Sequence, residues 1–162
     1  KMKREIIPTW EELERHKRIV PEINPAAVIA MLGIKTAADE IQQAIVDILQ
    51  REYHLSEGKF CVLVVLHQHG YDGVAPSVLA AKVGVTRATI SNMLQRLERD
   101  GLIEVRPDKE DGRGKLAVIT MAGCSFMEEV LPAHYLRVTK LMEKITEDEQ
   151  KELIRLLHKM AL

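Results

Sequence analysis

The stretch from Ala75 to Ile119 limits the fold more than any other part of this chain. Pro76 stands where a helix can begin, because its fixed φ suits the first helical turn. Leu79, Ala80 and Val83 then place one apolar side inward. Gly84 ends that helix, since glycine after a last turn tolerates left-handed φ. Thr86 caps a second helix by accepting from its free N–H groups, and Ile90, Leu94 and Leu97 give it one buried stripe. Gly101 ends it. Two helices joined by a short glycine-containing turn form a helix-turn-helix.

Beyond Gly101 the period changes. Ile103 and Val105 alternate with Glu104 and Arg106, which predicts a strand, and Leu116 to Ile119 is a second short apolar run. Between them Asp108 to Lys115 is a turn-rich tip with basic residues. A ribbon projecting Arg113 and Lys115 suits a phosphate or minor-groove contact, because the narrow groove concentrates negative potential. The acidic neighbours Asp108, Glu110 and Asp111 also fit a plain hairpin loop, although Asp111 can orient Arg113 by a charge-assisted hydrogen bond.

The second helix carries the chemistry. With Ile90 inward, Ala88, Asn92, Gln95 and Arg99 point roughly opposite, flanked by Thr89, Ser91 and Arg96. Small residues near its start allow close approach to a partner. Asn and Gln pair bidentately with adenine, and Arg with guanine, in the major groove. An isolated helix with this face would be read as merely solvated; the adjoining ribbon argues for DNA.

Taken in order, Ser77-Val78-Leu79-Ala80, Thr89-Ile90-Ser91, Leu94 to Gly101, Asp108 to Arg113 and Ile119-Thr120-Met121-Ala122-Gly123 resemble the MarR-type regulators. The resemblance covers roughly residues 25 to 160. It implies a mostly α winged helix-turn-helix with a small β-wing, and N- and C-terminal dimerisation helices. It also implies a homodimer on double-stranded DNA with a pseudo-palindromic operator, often a repressor released by a small ligand. The family's wing arginine falls on Arg113, two residues after the matching Asp111. Where the family often has Thr or Ser capping the first motif helix, this chain has Ala75, which removes one expected phosphate contact. The candidate DNA-binding set is therefore Ser77, Thr86, Arg87, Thr89, Ser91, Asn92, Gln95 and Arg96, with Arg113 and Lys115 from the wing.

Outside the motif the signals are those of helices needing cover. Thr9 and Glu12 form a capping box for a short helix near Trp10 and Leu13, stopped before Pro21. Asn24 and Pro25 open a long helix to about Tyr53, which would span about 40 Å. Its first part, Ala26 to Ile34, is almost wholly apolar, and such a helix must be buried on all sides. A second subunit is the expected cover, with an intramolecular bundle as the alternative. Thr120 begins another helix that Pro132 should bend or split. Thr146 and Glu149 form a last capping box, followed by Leu153, Leu157 and Met160 on one face. The expected organisation is an N-terminal extension with a short helix (1–24), a dimerisation helix (25–54), the winged module (55–119) and C-terminal dimerisation helices (120–162).

At 162 residues with net charge −1, the chain can bury a real core but is no generic polyanion binder. From Lys82 to Lys115 there are eight Lys/Arg against six Asp/Glu, a modest local excess of positive charge. Two cysteines, Cys61 and Cys124, give no disulfide framework, and a reducing cytoplasm is the simpler setting. The longest apolar run, Phe60 to Leu66, is too short for a membrane span, so no membrane partner is expected. The opening residues show no secretory pattern, and Lys1 suggests that the encoded start lies elsewhere. His67 and His69, two apart on a helix, point to different faces, and no metal-ligand spacing, phosphate loop or nucleophile elbow appears. Neither an enzyme nor a cofactor is expected.

Cys61 lies in an apolar run, the usual setting of a structural thiol, without the electropositive surroundings that activate one. The N-terminal helix with Trp10 is similar to that of a urate-responsive subgroup of the family. That resemblance implies a site for a small anionic or aromatic effector with Trp10 and Arg106. Cys61 would lie near where the subgroup has an acidic residue, and a thiol lacks the charged acceptor a carboxylate supplies. Two other readings stand beside the DNA-binding repressor: a winged-helix protein-interaction module without DNA binding, and a redox-sensing regulator using Cys61.

Overall fold

The computed structural model describes residues 7–109 and 114–160. The chain divides into two units, 1–54 and 55–162.

In the first unit, helix α1 (Trp10–Ile19) starts from a reciprocal cap. The Thr9 hydroxyl accepts from the Glu12 N–H at 3.2 Å, and the Glu12 carboxylate accepts from the Thr9 N–H at 2.7 Å. That bond and the Thr9 hydroxyl hold the Glu12 carboxyl below its usual range. Helix α2 (Pro25–Tyr53) opens on Asn24, whose side chain accepts from Ala27, and closes on His54 in the left-handed region at φ 53°. α1 packs on α2, and Leu13 and Pro25 are buried. The run Ala26 to Ile34 behaves differently from its apolar sequence. Within a single chain Ala26, Ala27, Ala30, Met31 and Ile34 are exposed. Sequence polarity reports the need for cover, not its source.

The second unit is built from α3 (Glu57–His69), a 3-10 turn (Gly70–Asp72), α4 (Pro76–Val83), α5 (Arg87–Arg99), strands β1 (Ile103–Pro107) and β2 (Lys115–Ile119), α6 (Met121–Met142) and α7 (Glu147–Met160). The two strands are antiparallel with Ile103 opposite Ile119 and Pro107 opposite Lys115. Val74 adds a bridge to the outer edge of β2 at Ala117. Its neighbour Gly73 has φ +83° and touches β2 so closely that a Cβ would lie 2.8 Å from Val118 Cγ2. The core gathers Val62, Leu63 and Leu66 of α3, Leu79 of α4, Ile90, Leu94 and Leu97 of α5, Ile103 of β1, Val118 and Ile119 of β2, and Met127 and Val130 of α6. This is the stripe the sequence assigned to the motif helices, closed by the ribbon and by α6.

Gly84, in the left-handed region at φ +74°, ends α4, and the Thr86 cap starts α5 two residues later. Ala75 gives α4 no side-chain cap, as its methyl group dictates. Thr120 caps α6 and binds that helix to the wing, its hydroxyl donating to the Gly101 carbonyl at 2.7 Å and accepting from Gly123 at 3.0 Å. A split at Pro132 does not occur: α6 runs through it unbroken. Proline removes one N–H from the ladder, and here Pro132 and Glu128, whose carbonyl loses its donor, both lie at exposed positions within reach of water. α7 starts from the Thr146–Glu149 capping box and contains no buried residue. No helix among the described residues is long and apolar enough to cross a membrane.

Candidate nucleic-acid interface

α5 stands with its stripe inward and its polar side out. Ile90, Leu94 and Leu97 are buried; Arg87, Ala88, Ser91, Asn92, Gln95, Arg96 and Arg99 are exposed. The hydroxyl residues at the start of the helix serve its backbone. Thr86 Oγ1 accepts from the Thr89 N–H at 3.1 Å and lies 2.9 Å from Thr89 Oγ1, and the Ser91 hydroxyl donates to the Arg87 carbonyl at 2.9 Å. Arg87, Asn92, Gln95 and Arg96 make no such bond among the described residues, so their donors and acceptors are available to a partner. Ser77 is exposed on the first turn of α4.

Recesses flank α5 on both sides. On the wing side, Ser91, Gln95 and Glu98 face Arg106 and Lys115 across a groove of about 570 Å³. Lys115 is exposed at the start of β2, and the Asp108 N–H donating to the Gly114 carbonyl at 2.9 Å closes the base of the wing tip. Arg113 and its neighbour Asp111 lie outside the described residues. On the other side, Thr89, Asn92 and Arg96 share a recess of about 220 Å³ with Ser56 and Lys59 from the start of α3. Ser56 caps α3 by accepting from the Lys59 N–H at 3.3 Å. Neither residue was in the sequence-derived set. Ser56 was readable as a cap, but its proximity to α5 is a product of tertiary packing over more than thirty positions.

The effector candidates are dispersed over different elements. Trp10 is the first residue of α1, with 53% of its surface exposed. Cys61 is half-buried on α3, and burial, with the nearby Glu57 charge, pushes its thiol up and disfavours the reactive thiolate. Arg106 donates to the Tyr71 carbonyl at 2.7 Å and lies 3.9 Å from Glu104, so its fork is partly engaged within the fold. Two grooves lined by Arg106 do not include Cys61. Cys124 is also a free thiol, and its proximity helps hold the Tyr71 phenol above its usual range. His69 ends α3 with its ring bonded to the Val65 carbonyl at 2.8 Å, and no group of three or more metal-ligating side chains occurs among the described residues.

Two helices joined by a tight turn, a polar outer face on the second and a two-stranded ribbon after it define a winged helix-turn-helix regulator. A sequence model described as the MarR family matches residues 55–114. A transcriptional repressor of Bacillus subtilis, YetL, is 34% identical over 103 residues, 64% of this chain and 62% of that protein; the match thus leaves over a third of that relative uncovered. An uncharacterized HTH-type transcriptional regulator of Bacillus cereus is 33% identical over 111 residues, 68% of this chain and 72% of its own length. The MarR family regulator Sco3205 of Streptomyces coelicolor, solved in complex with DNA, superposes with a TM-score of 0.75 at 22% identity, covering 84% of this chain and 86% of that one. The chain belongs to the MarR family of winged-helix transcriptional regulators. These relatives are regulators rather than enzymes.

Proposed function

We propose that this protein is a homodimeric repressor that binds a pseudo-palindromic operator in double-stranded DNA through α5 and the wing. The observation that carries the reading is the outer face of α5, where Arg87, Asn92, Gln95 and Arg96 are exposed and uncommitted among the described residues. That combination offers the bidentate groups that distinguish adenine and guanine in the major groove. Lys59, on one side of the helix, and Lys115, on the other, supply charge to the flanking phosphates; Arg113 belongs to the same set by its sequence position. Ser77, Thr86, Thr89 and Ser91 complete it, with Thr86 and Ser91 acting chiefly by holding the start of α5.

The homodimer is supported by apolar surface that one chain leaves open. Met31, Ile34 and Ile41 of α2 are exposed, and so, in the other unit, are Leu153, Ile154, Leu156, Leu157 and Met160 of α7. Several large apolar residues exposed on each helix mark a partner surface, and a second copy also meets the two-fold symmetry of a palindromic site. The effector reading rests on resemblance: a small anionic or aromatic molecule, with Trp10 as stacking ring and Arg106 as anion partner. Such a molecule acts only by binding the DNA-competent and incompetent arrangements with different affinity. The cytoplasm, where such operators are found, is the corresponding location.

Selection of bound duplexes from a random pool, followed by titration of the winners, tests the central claim. Saturable binding to a recovered palindromic sequence is expected, with half-sites about one helical turn apart. Binding that is equal on every duplex, or absent, overturns it.

A further inference from the structure

Glu98 is an exposed acidic side chain on the wing-facing side of α5, beside a surface read above as meeting phosphates, which a carboxylate repels. It lines the same groove as Ser91, Gln95, Arg106 and Lys115. Its Oε1 accepts a hydrogen bond from the Val105 N–H of β1 at 2.9 Å. The strand register explains why that N–H is open to it. Val105 stands opposite Ala117, and Ala117 exchanges both of its backbone bonds, 2.9 Å each, with Val74 on the far edge of the ribbon. At this pair both strands therefore turn their polar groups outward, Ala117 towards Val74 and Val105 towards α5. Without Glu98, the Val105 N–H is an unpaired edge donor.

We propose that Glu98 is a positioning residue that braces the wing against α5 and so sets where Lys115 meets the DNA backbone. The inference rests on the DNA-binding reading above. The base of the ribbon is held separately, by Thr120 on Gly101 and by Arg106 on the Tyr71 carbonyl. Those bonds fix where the ribbon starts and how it lies on the turn at Tyr71. The Glu98 bond fixes its pitch relative to the helix that reads the bases. A carboxylate suits this task because a charged acceptor bonds an N–H more strongly than a neutral one.

Two substitutions separate the bond from the charge. Glu98→Gln keeps an acceptor oxygen at the same reach and removes the charge. Glu98→Asp keeps the charge and, one methylene shorter, loses the reach. Both are measured in the full-length protein against the selected operator, by the salt dependence of binding, by base preference and by hydrogen exchange at the Val105 amide. For Glu98→Asp we expect Val105 exchange to rise about tenfold or more, as for loss of a bond to a charged group. Affinity should fall, with the salt slope shallower by about 0.9 for each phosphate that the wing no longer reaches. Glu98→Gln should keep the wild-type slope and slow exchange.

If Glu98 acts only as a charge, Glu98→Asp behaves as wild type while Glu98→Gln binds more tightly, and the brace is overturned. It is equally overturned if both variants lose preference at one base pair, since Glu98 would then be reading a cytosine amino group. A wild-type protein that selects no duplex defeats the DNA-binding reading itself, a result distinct from either of these.

Discussion

The winged module and the long terminal helices solve opposite problems with the same residue types. In the module, Leu63, Leu66, Leu79, Leu97 and Ile119 are all but inaccessible, each covered by neighbours in the same chain. In α7, Leu153, Leu156 and Leu157 keep a third or more of their surface exposed, and in α2 Met31 keeps 54%. Leucine costs the same to hydrate in either place. The module is therefore complete as one chain, whereas α2 and α7 leave apolar residues exposed for the proposed partner to cover. A regulator built this way can keep its reading head rigid while the spacing of two heads depends on a separate surface.

The sharpest way to break this contrast is to charge the helices and leave the module alone. Leu157 is itself exposed on a helix that contains no buried residue, so the module's core should fold as before in Leu157→Glu. Sedimentation should shift from dimer to monomer, and operator affinity should fall by about 100-fold or more as the second half-site is released. A folded Leu157→Glu monomer with undiminished affinity for a palindromic site would refute the dimer.

Two glycines sharpen the comparison. A Cβ at Gly123 would run into the Leu102 carbonyl and Ile119 Cγ1, and the backbone there cannot step aside. Gly123→Ala should cost about 1–3 kcal/mol in denaturant unfolding. A Cβ at Gly33 in α2 meets nothing within 4 Å, so Gly33→Ala should gain about 0.5–1 kcal/mol from helix propensity alone. If Gly33→Ala destabilises the fold as much as Gly123→Ala does, the assignment of filled and unfilled surfaces is wrong.

How much of this was readable in the sequence follows the range of the forces involved. Caps and stops act over three or four residues, so Thr9, Asn24, Gly84, Thr86, Thr120 and Thr146 marked their helix ends. The stripe Ile90, Leu94, Leu97 fixed the inward face of α5 and hence its outward one. Long-range placement was not readable. Lys59 beside Arg96 and Glu98 beneath Val105 depend on how separate elements pack, and no periodic signal carries that. The apolar start of α2 announced burial but could not name the covering chain. Pro132 looked like a break because local rules count a missing donor and omit the water available at an exposed carbonyl.

Within the interface, the two sides of α5 should respond differently. Asn92→Ala should cost about 1–3 kcal/mol at one or two base positions if Asn92 reads a base. Lys59→Ala should weaken specific and random duplexes alike and reduce the salt slope by about 0.9. Uniform loss across sequences for Asn92→Ala would move it from reader to backbone contact, and an unchanged slope for Lys59→Ala would place the α3 start off the DNA.

The smallest expected effect is a pH dependence seated in the module's support. His134 of α6 packs against Phe60 of α3 with ring centroids 4.9 Å apart. Burial, with the Arg137 charge nearby, holds its imidazole below the usual histidine range. The native state thus prefers the neutral ring, and the unfolded chain takes up the proton first as pH falls. Stability from this residue is present above the unfolded value, about 6.5, and declines below it towards the lowered native value. Urea midpoints should fall modestly on acidification through that window. His134→Gln, which cannot titrate, should flatten this part of the profile; an identical profile in both proteins would show that the α3–α6 contact is not where the protons act.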